Sequence, residues 1–562
     1  MCSISHPHAL RFLTFVIIIG TTVTLQAQQE SKTPNNKSSV LSGIVVNDGG
    51  QPMPGVAVRI GASWNQTSIS TTTAADGSFR VGGLERALYA VSAYAPTYVR
   101  GPWDPNDPTN YYTVGDSIRL QLVKGAVITG TVTTLSGEPV IGVPVRAFLI
   151  RGPDGKVPSF LSQRAAERTT DDRGIYRMYG LAAGTYLVAA GGTYFNAYNL
   201  SAYDDQAPTY APSSNRDTAG EFVIGPGEEL ANVDIKYRAE PGHVISGTVK
   251  GPAANSSFNV TLNSVTLGTF TSSAFQAPGN RGFMFTGLPD DTYEVTAASN
   301  EGEFLTVSEP TRLIVKGKDV TGLELLTKPL AVLTGRVLLI SSKAAECAGK
   351  RQLLLTETMV AVRQAEDKPL ANPYSRSATV PDQDGTFTFQ NVRPGKYRLV
   401  PRLFAKYWYV QSIKLPQSAK TASAEAAGTA VDLKSGDRIT GVTITVAQGA
   451  ASLRGNIVAS DSEPRPPNLY LFLVPAEKES AEDPLRFFAT QIRSDSTFAI
   501  NNLPPGRYWS LLQKAADKQV SLLQSPAGSE SRAKLLRDAE AAKSTIEFKP
   551  CQSVSDYKVN TK

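Results

Sequence analysis

Histidine and cysteine are scarce in this chain, which has three of each in 562 residues. His6, His8 and Cys2 all precede an apolar run near the start, leaving only His243, Cys347 and Cys551 beyond it. A zinc site built from histidine and cysteine needs two or three such ligands close together, and Ser-His-Asp chemistry needs a positioned imidazole. His243 stands just before Val244-Ile245-Ser246-Gly247, where a surface or inter-module role fits better than catalysis. Charge is also low, with 19% charged residues and a formal net charge of +6. The chain has no basic block of the kind that tracks nucleic acid, and no phosphate-cradling or dinucleotide fingerprint. Acidic pairs such as Asp171-Asp172, Asp204-Asp205 and Asp290-Asp291 sit in turn-like contexts. Glycosidases bring distant carboxylates together, so adjacency alone is not a signal, and the spacing matches no EF-hand loop. Gly115-Asp116-Ser117-Ile118 imitates a hydrolase nucleophile motif without a histidine-bearing companion and reads as chance. No catalytic residue, metal or cofactor is expected.

Long apolar runs are missing too, except for Phe12-Leu13-Thr14-Phe15-Val16-Ile17-Ile18-Ile19 after Arg11. This run is short and is followed by the small-residue site Leu25-Gln26-Ala27, so residues 1–27 read as a secretory signal peptide cleaved near Ala27. Cys2 lies ahead of the run and is not a lipoprotein-type cysteine. Residues 28–39, rich in Gln, Asn, Ser and Lys, read as a flexible leader. The expected location is secreted or periplasmic, in the cell envelope, with no membrane-spanning segment after cleavage. In an exported chain, the pair Cys347 and Cys551 suggests one disulfide tying the fourth unit to the end of the fifth, with two unpaired buried thiols as the alternative.

What the chain does have is a repeat. An aromatic, then Leu or Val five residues on, then Tyr five further on, occurs five times. The sets are Phe79-Leu84-Tyr89, Tyr176-Leu181-Tyr186, Phe283-Leu288-Tyr293, Phe387-Val392-Tyr397 and Phe498-Leu503-Tyr508. A fixed internal spacing marks one copied structural unit. The aromatic opens an alternating strand, whose next inward positions are Val81, Met178, Phe285, Phe389 and Ile500. A Gly- or Asn-containing turn follows, because both residues tolerate positive φ. The Tyr then starts a second strand, with its ring inward and its hydroxyl free to return to nearby backbone. All fifteen positions therefore read as structural.

Each unit begins with a short Gly motif: Ser42-Gly43-Ile44-Val45, Thr129-Gly130-Thr131-Val132, Ser246-Gly247-Thr248-Val249, Thr334-Gly335-Arg336-Val337 and Arg454-Gly455-Asn456-Ile457. Its closing strands read as Ile118/Leu120/Leu122, Val233/Ile235/Tyr237, Leu323/Leu325, Val442/Ile444/Val446 and Ile546/Phe548. The order S/T-G-x-V, G-x-P-x-x-G-V-x-V, D-G-x-F, L-x-x-G-x-Y resembles the carboxypeptidase regulatory-like domain, a transthyretin- or prealbumin-like β-sandwich. It is strongest in the first two units, with Gln51-Pro52-Met53-Pro54-Gly55-Val56 and Glu138-Pro139-Val140-Ile141-Gly142-Val143. Unit three has Arg281-Gly282-Phe283 for D-G-x-F, and unit five has Asp495-Ser496-Thr497-Phe498. The resemblance implies a fold and no chemistry.

The expectation is an all-β, tandem array of about five small Ig-like/prealbumin-like sandwiches. The spans are 40–125, 126–240, 241–330, 331–449 and 450–562, with a helix at 531–543. A string of such modules reads as a non-enzymatic scaffold whose partner is an envelope or extracellular protein. The alternative is polysaccharide binding, since the implied fold resembles starch-binding-like domains. Its candidate stacking aromatics are Trp103, Tyr111, Tyr112 and Trp408, set in aromatic stretches where plain packing is the competing reading.

Overall fold

The computed structural model describes residues 40–560, apart from 63–67, 102–110, 156–165, 193–201, 252–255, 268, 278, 302–303, 365–377, 417–429, 459–468, 494 and 515–528. The chain is all-β, a tandem array of five sandwich modules, and the single α-helix among the described residues is Ser529–Ala542.

One plan recurs. In module one the opening strand Leu41–Val46 lies between two partners in one sheet. It pairs antiparallel with Ser78–Val81, placing Gly43 opposite Phe79, and parallel with the closing strand Ser117–Lys124, placing Gly43 opposite Ile118. In the facing sheet, Ala57–Ala62 pairs with Ser68–Thr72 and with Leu88–Tyr94, the strand that carries the repeat tyrosine. The later modules repeat the glycine-to-aromatic register: Gly130 faces Tyr176, Gly247 faces Phe283, Gly335 faces Phe387 and Gly455 faces Phe498. The alternation in sequence builds these sheets because every second side chain enters the space between them.

Close approach of the closing segment explains the glycines. In modules two to five the closing strand carries one left-handed residue: Asn232, Gly322, Gly441 and Asp556, with φ of 62°, 72°, 89° and 60°. The next residue's carbonyl, on Val233, Leu323, Val442 or Tyr557, stands against the opening glycine, as Ile118 O stands against Gly43 in module one without a left-handed residue before it. A Cβ at Gly130, Gly247, Gly335 or Gly455 would come within 3.0 Å of it. Only a residue without a side chain fits beneath that bulge.

The fifteen repeat side chains are at most 5% exposed, in five separate apolar clusters, so none offers a ring to a ligand. Four of the tyrosines return their hydroxyl to the carbonyl four residues back: Tyr89 to Glu85, Tyr186 to Ala182, Tyr293 to Pro289 and Tyr508 to Pro504, at 2.7–3.0 Å. Burial pushes these hydroxyls up, Tyr508 to about 12, so they remain donors. Tyr397 differs: its hydroxyl lies beside the Gln364 side chain and makes no return to backbone. Tyr186→Phe is therefore expected to cost about 1 kcal/mol of stability in chemical denaturation, and Tyr397→Phe clearly less. Equal losses at the two positions would count against the corner bond.

Module five departs from expectation at its end. The segment with Ile546 and Phe548, Thr545–Phe548, pairs with the tyrosine strand Gly506–Lys514 in the other sheet. The parallel closing strand is Ser553–Asn560. The left-handed Asp556 shifts its inward set from Val554 to Tyr557 and Val559, and the alternation of Ile546 and Phe548 competes with it in the sequence. The helix Ser529–Ala542 lies on this module, burying Leu535 and Ala539 against Tyr470, Phe472 and Val474. That spacing is one turn on one helix face.

Candidate functional site at the module junctions

In a modular array the junctions decide what the array can do. The turn between the repeat's two strands has a left-handed residue at one fixed position: Gly83, Gly180, Gly287, Asn391 and Asn502, with φ of 74°, 71°, 67°, 65° and 60°. This backbone suits Gly and Asn. In modules two to five the same turn sits against the chain entering its module or against the preceding module.

Between modules one and two, Gly125 donates its N–H to Thr97 O at 2.7 Å, and a Cβ on Gly125 would lie 2.6 Å from Gly180 Cα. Gly242 packs just as tightly on Gly287 at the entry to module three. Modules two and three also share an apolar cluster, in which Leu267 joins Phe148, Leu187 and Tyr210. The buried Asp291 accepts the Ser264 hydroxyl at 2.5 Å and lies 4.0 Å from Arg216 of module two. At the next two junctions the turn residue is Asn, and its side chain reaches across. Asn391 Oδ1 accepts from Leu305 N–H at 3.3 Å. Asn502 Nδ2 donates to Ala405 O at 2.9 Å and Trp408 O at 2.8 Å. Glycine could make the turn but not these bonds.

Modules four and five are also joined covalently. Cys347 and Cys551 form a disulfide with Cα atoms 5.3 Å apart. Cys347 ends the short helical turn Ala345–Cys347, and Cys551 lies between Thr545–Phe548 and Ser553–Asn560.

The remaining junction joins modules distant in sequence. Glu357 of module four is fully buried. Arg86 of module one, three residues past Gly83, grips it with Nε at 3.3 Å and Nη2 at 3.1 Å. Arg351 Nη2 approaches from the other side at 2.5 Å, and Leu354 N–H donates at 3.3 Å. Arg86 also donates to Gln352 O at 2.7 Å, and its own carbonyl accepts from the Thr356 hydroxyl at 3.0 Å. Nearby, Tyr111 meets Phe404 edge to face, with centroids 6.4 Å apart. One carboxylate thus accepts from two guanidiniums, a charge-assisted arrangement closed off from bulk water.

The sugar-stacking candidates fare differently. Trp408 is 1% exposed and part of module four's core, with Nε1 donating to Arg351 O at 3.3 Å. It therefore has no free face for stacking. Trp408 begins the strand Trp408–Lys414, and its neighbours Tyr407, left-handed with φ 69°, and Tyr409 are partly exposed. Tyr111 and Tyr112 lie in Tyr111–Thr113, half-buried, with Tyr112 against module one's core. Trp103 lies outside the described residues.

The nucleophile-like motif and the histidine both have structural partners. Asp116 accepts from Thr113 N–H at 2.7 Å in a tight turn, and Ser117 pairs with Ser42 in the sheet of module one. His243 opens the strand His243–Lys250 of module three, 3.2 Å from Asp290 and 3.7 Å from Asp319. Among the described residues no cluster of three or more His, Cys, Asp or Glu side chains is arranged to hold a metal, and no helix is long and apolar enough to cross a membrane.

Residues 40–101 match the carboxypeptidase regulatory-like domain. No curated protein matches the chain. Among solved structures, it is similar to a Streptococcal ancillary pilin at 12% identity, over 52% of this chain and 99% of that one, with a TM-score of 0.16. It is similar to the Bacillus anthracis TIE protein at 10% identity, over 95% and 76%, with a TM-score of 0.15. A third is described as a putative polysaccharide-binding protein from Bacteroides thetaiotaomicron, 10% identical over 28% and 76%, with a TM-score of 0.16.

Proposed function

We propose that this protein is an exported, non-enzymatic scaffold of the cell envelope, whose five modules hold binding surfaces at set positions for an envelope or extracellular protein. Its modules span 40–125, 126–240, 241–330, 331–449 and 450–562. The observation that carries this reading is the use of the repeat's own turns and neighbouring side chains as docking elements at the junctions. Asn391 and Asn502 reach across to the preceding module, so the relation between neighbouring modules is set by named contacts. The Cys347–Cys551 disulfide suits an oxidising compartment, as does the signal-like segment before Ala27.

The test is retention of the purified protein on insoluble polysaccharides and peptidoglycan, run beside crosslinking to envelope proteins, with Trp103→Ala as control. A reproducible protein crosslink without polysaccharide retention supports the scaffold. Retention lost in Trp103→Ala would replace it with carbohydrate recognition through a side chain of module one.

A further inference from the structure

We propose that the contact between module one and module four is a releasable latch, by which the array passes between a closed form and an open one. The inference rests on the scaffold reading, which would survive its failure.

Two of the other junctions have an apolar or covalent tie that this one lacks. Modules two and three share an apolar cluster through Leu267. Modules four and five share a disulfide, and Leu485 of module five packs on the core of module four. The apolar clusters of modules one and four have no residue in common. Apart from the Tyr111–Phe404 ring pair, the contacts described between these modules are polar: Arg86 to Glu357, Arg86 to Gln352 O, and Thr356 to Arg86 O. Polar interfaces of this kind between domains permit relative motion, whereas large apolar ones resist it.

The chemistry of Glu357 makes release feasible. Removing one partner of a buried ion pair is usually costly because it strands the other charge. Here Arg351 and the Leu354 N–H belong to the same module as Glu357 and stay with it when Arg86 leaves. Water reaches the carboxylate as module one departs, so neither form contains a stranded charge. Arg86 is already one-third exposed in the closed form, so it is hydrated with little rearrangement. The latch therefore responds to whatever competes for a guanidinium or screens it, ionic strength above all.

Small-angle scattering of the purified protein tests this, at low salt and at about 1 M NaCl, where the screening length falls to about 3 Å. The wild type is expected to be compact at low salt. Arg86→Ala should lengthen the maximum dimension by roughly 30 Å, about one module's width, at both salt concentrations. The wild type should approach the Arg86→Ala curve at high salt, and Arg86→Lys should fall between. Identical curves for wild type and Arg86→Ala would overturn the latch. A wild type that stays compact at high salt while Arg86→Ala opens would show a static clasp and overturn release. Circular dichroism confirms that each variant is folded; if Arg86→Ala is not, Thr356→Val with Tyr111→Ala is read against the same outcomes.

Discussion

Gly247→Ala should destabilise module three by about 3 kcal/mol, far more than a one-carbon change in a strand usually costs. Gly247 sits in the opening strand, with the Phe283 strand on one side and the closing strand on the other. The Leu323 carbonyl, just after the left-handed Gly322, faces it, and a new Cβ would collide with that oxygen. The oxygen is backbone, held in the parallel ladder, so relief requires the ladder to open. A turn glycine gives the control. Gly83 has φ 74° and nothing within 4 Å of where its Cβ would stand, and Asn occupies the equivalent position in modules four and five. Gly83→Asn is expected to stay within about 0.5 kcal/mol of wild type. Denaturant unfolding measures both, and hydrogen exchange should confine the Gly247→Ala loss to module three. A mild Gly247→Ala would mean that the bulge adjusts and that close approach is not why the opening residue is Gly.

Cys347→Ala/Cys551→Ala should lose about 4 kcal/mol, chiefly because the unfolded chain is released from a large loop. The two cysteines are 204 residues apart, so the bond restricts the unfolded ensemble of modules four and five together. Both side chains are buried, so alanine is chosen over serine to avoid adding the cost of a buried hydroxyl. Scanning calorimetry of the variant, and of wild type with reductant, should show the same lowered transition. An unchanged transition would mean that Asn502 and the apolar contacts of Leu485 hold this junction without it.

The sandwiches were legible in the sequence because their signals are local. A two-residue period, a Gly or Asn at one fixed turn position and a tyrosine after a corner each need only a few neighbouring residues to be recognised. The closing strand of module five was hidden because Ile546/Phe548, a few residues earlier, show the same alternation but pair in the other sheet. Trp408 sits in an aromatic stretch that fits a binding platform and a core equally well, and only the fold assigns it to the core of module four. The junctions were largely illegible. Arg86 and Glu357 are 271 residues apart, and nothing near either one marks a partner. A fainter signal was present in the replacement of Gly by Asn at positions 391 and 502, where the turn needs a side chain as well as a left-handed backbone.

The parallel pairing of opening and closing strands has a mechanical consequence. In each module the chain enters along one strand and leaves along its neighbour in the same direction, as Leu41–Val46 and Ser117–Lys124 do. Tension applied at the two ends of such a module slides these strands past each other, and the evenly spaced bonds between them bear the load together. A hairpin pulled from its open end would lose its bonds one after another. Each module is therefore built to resist stretching in shear, a property suited to a protein held at one point and pulled at another.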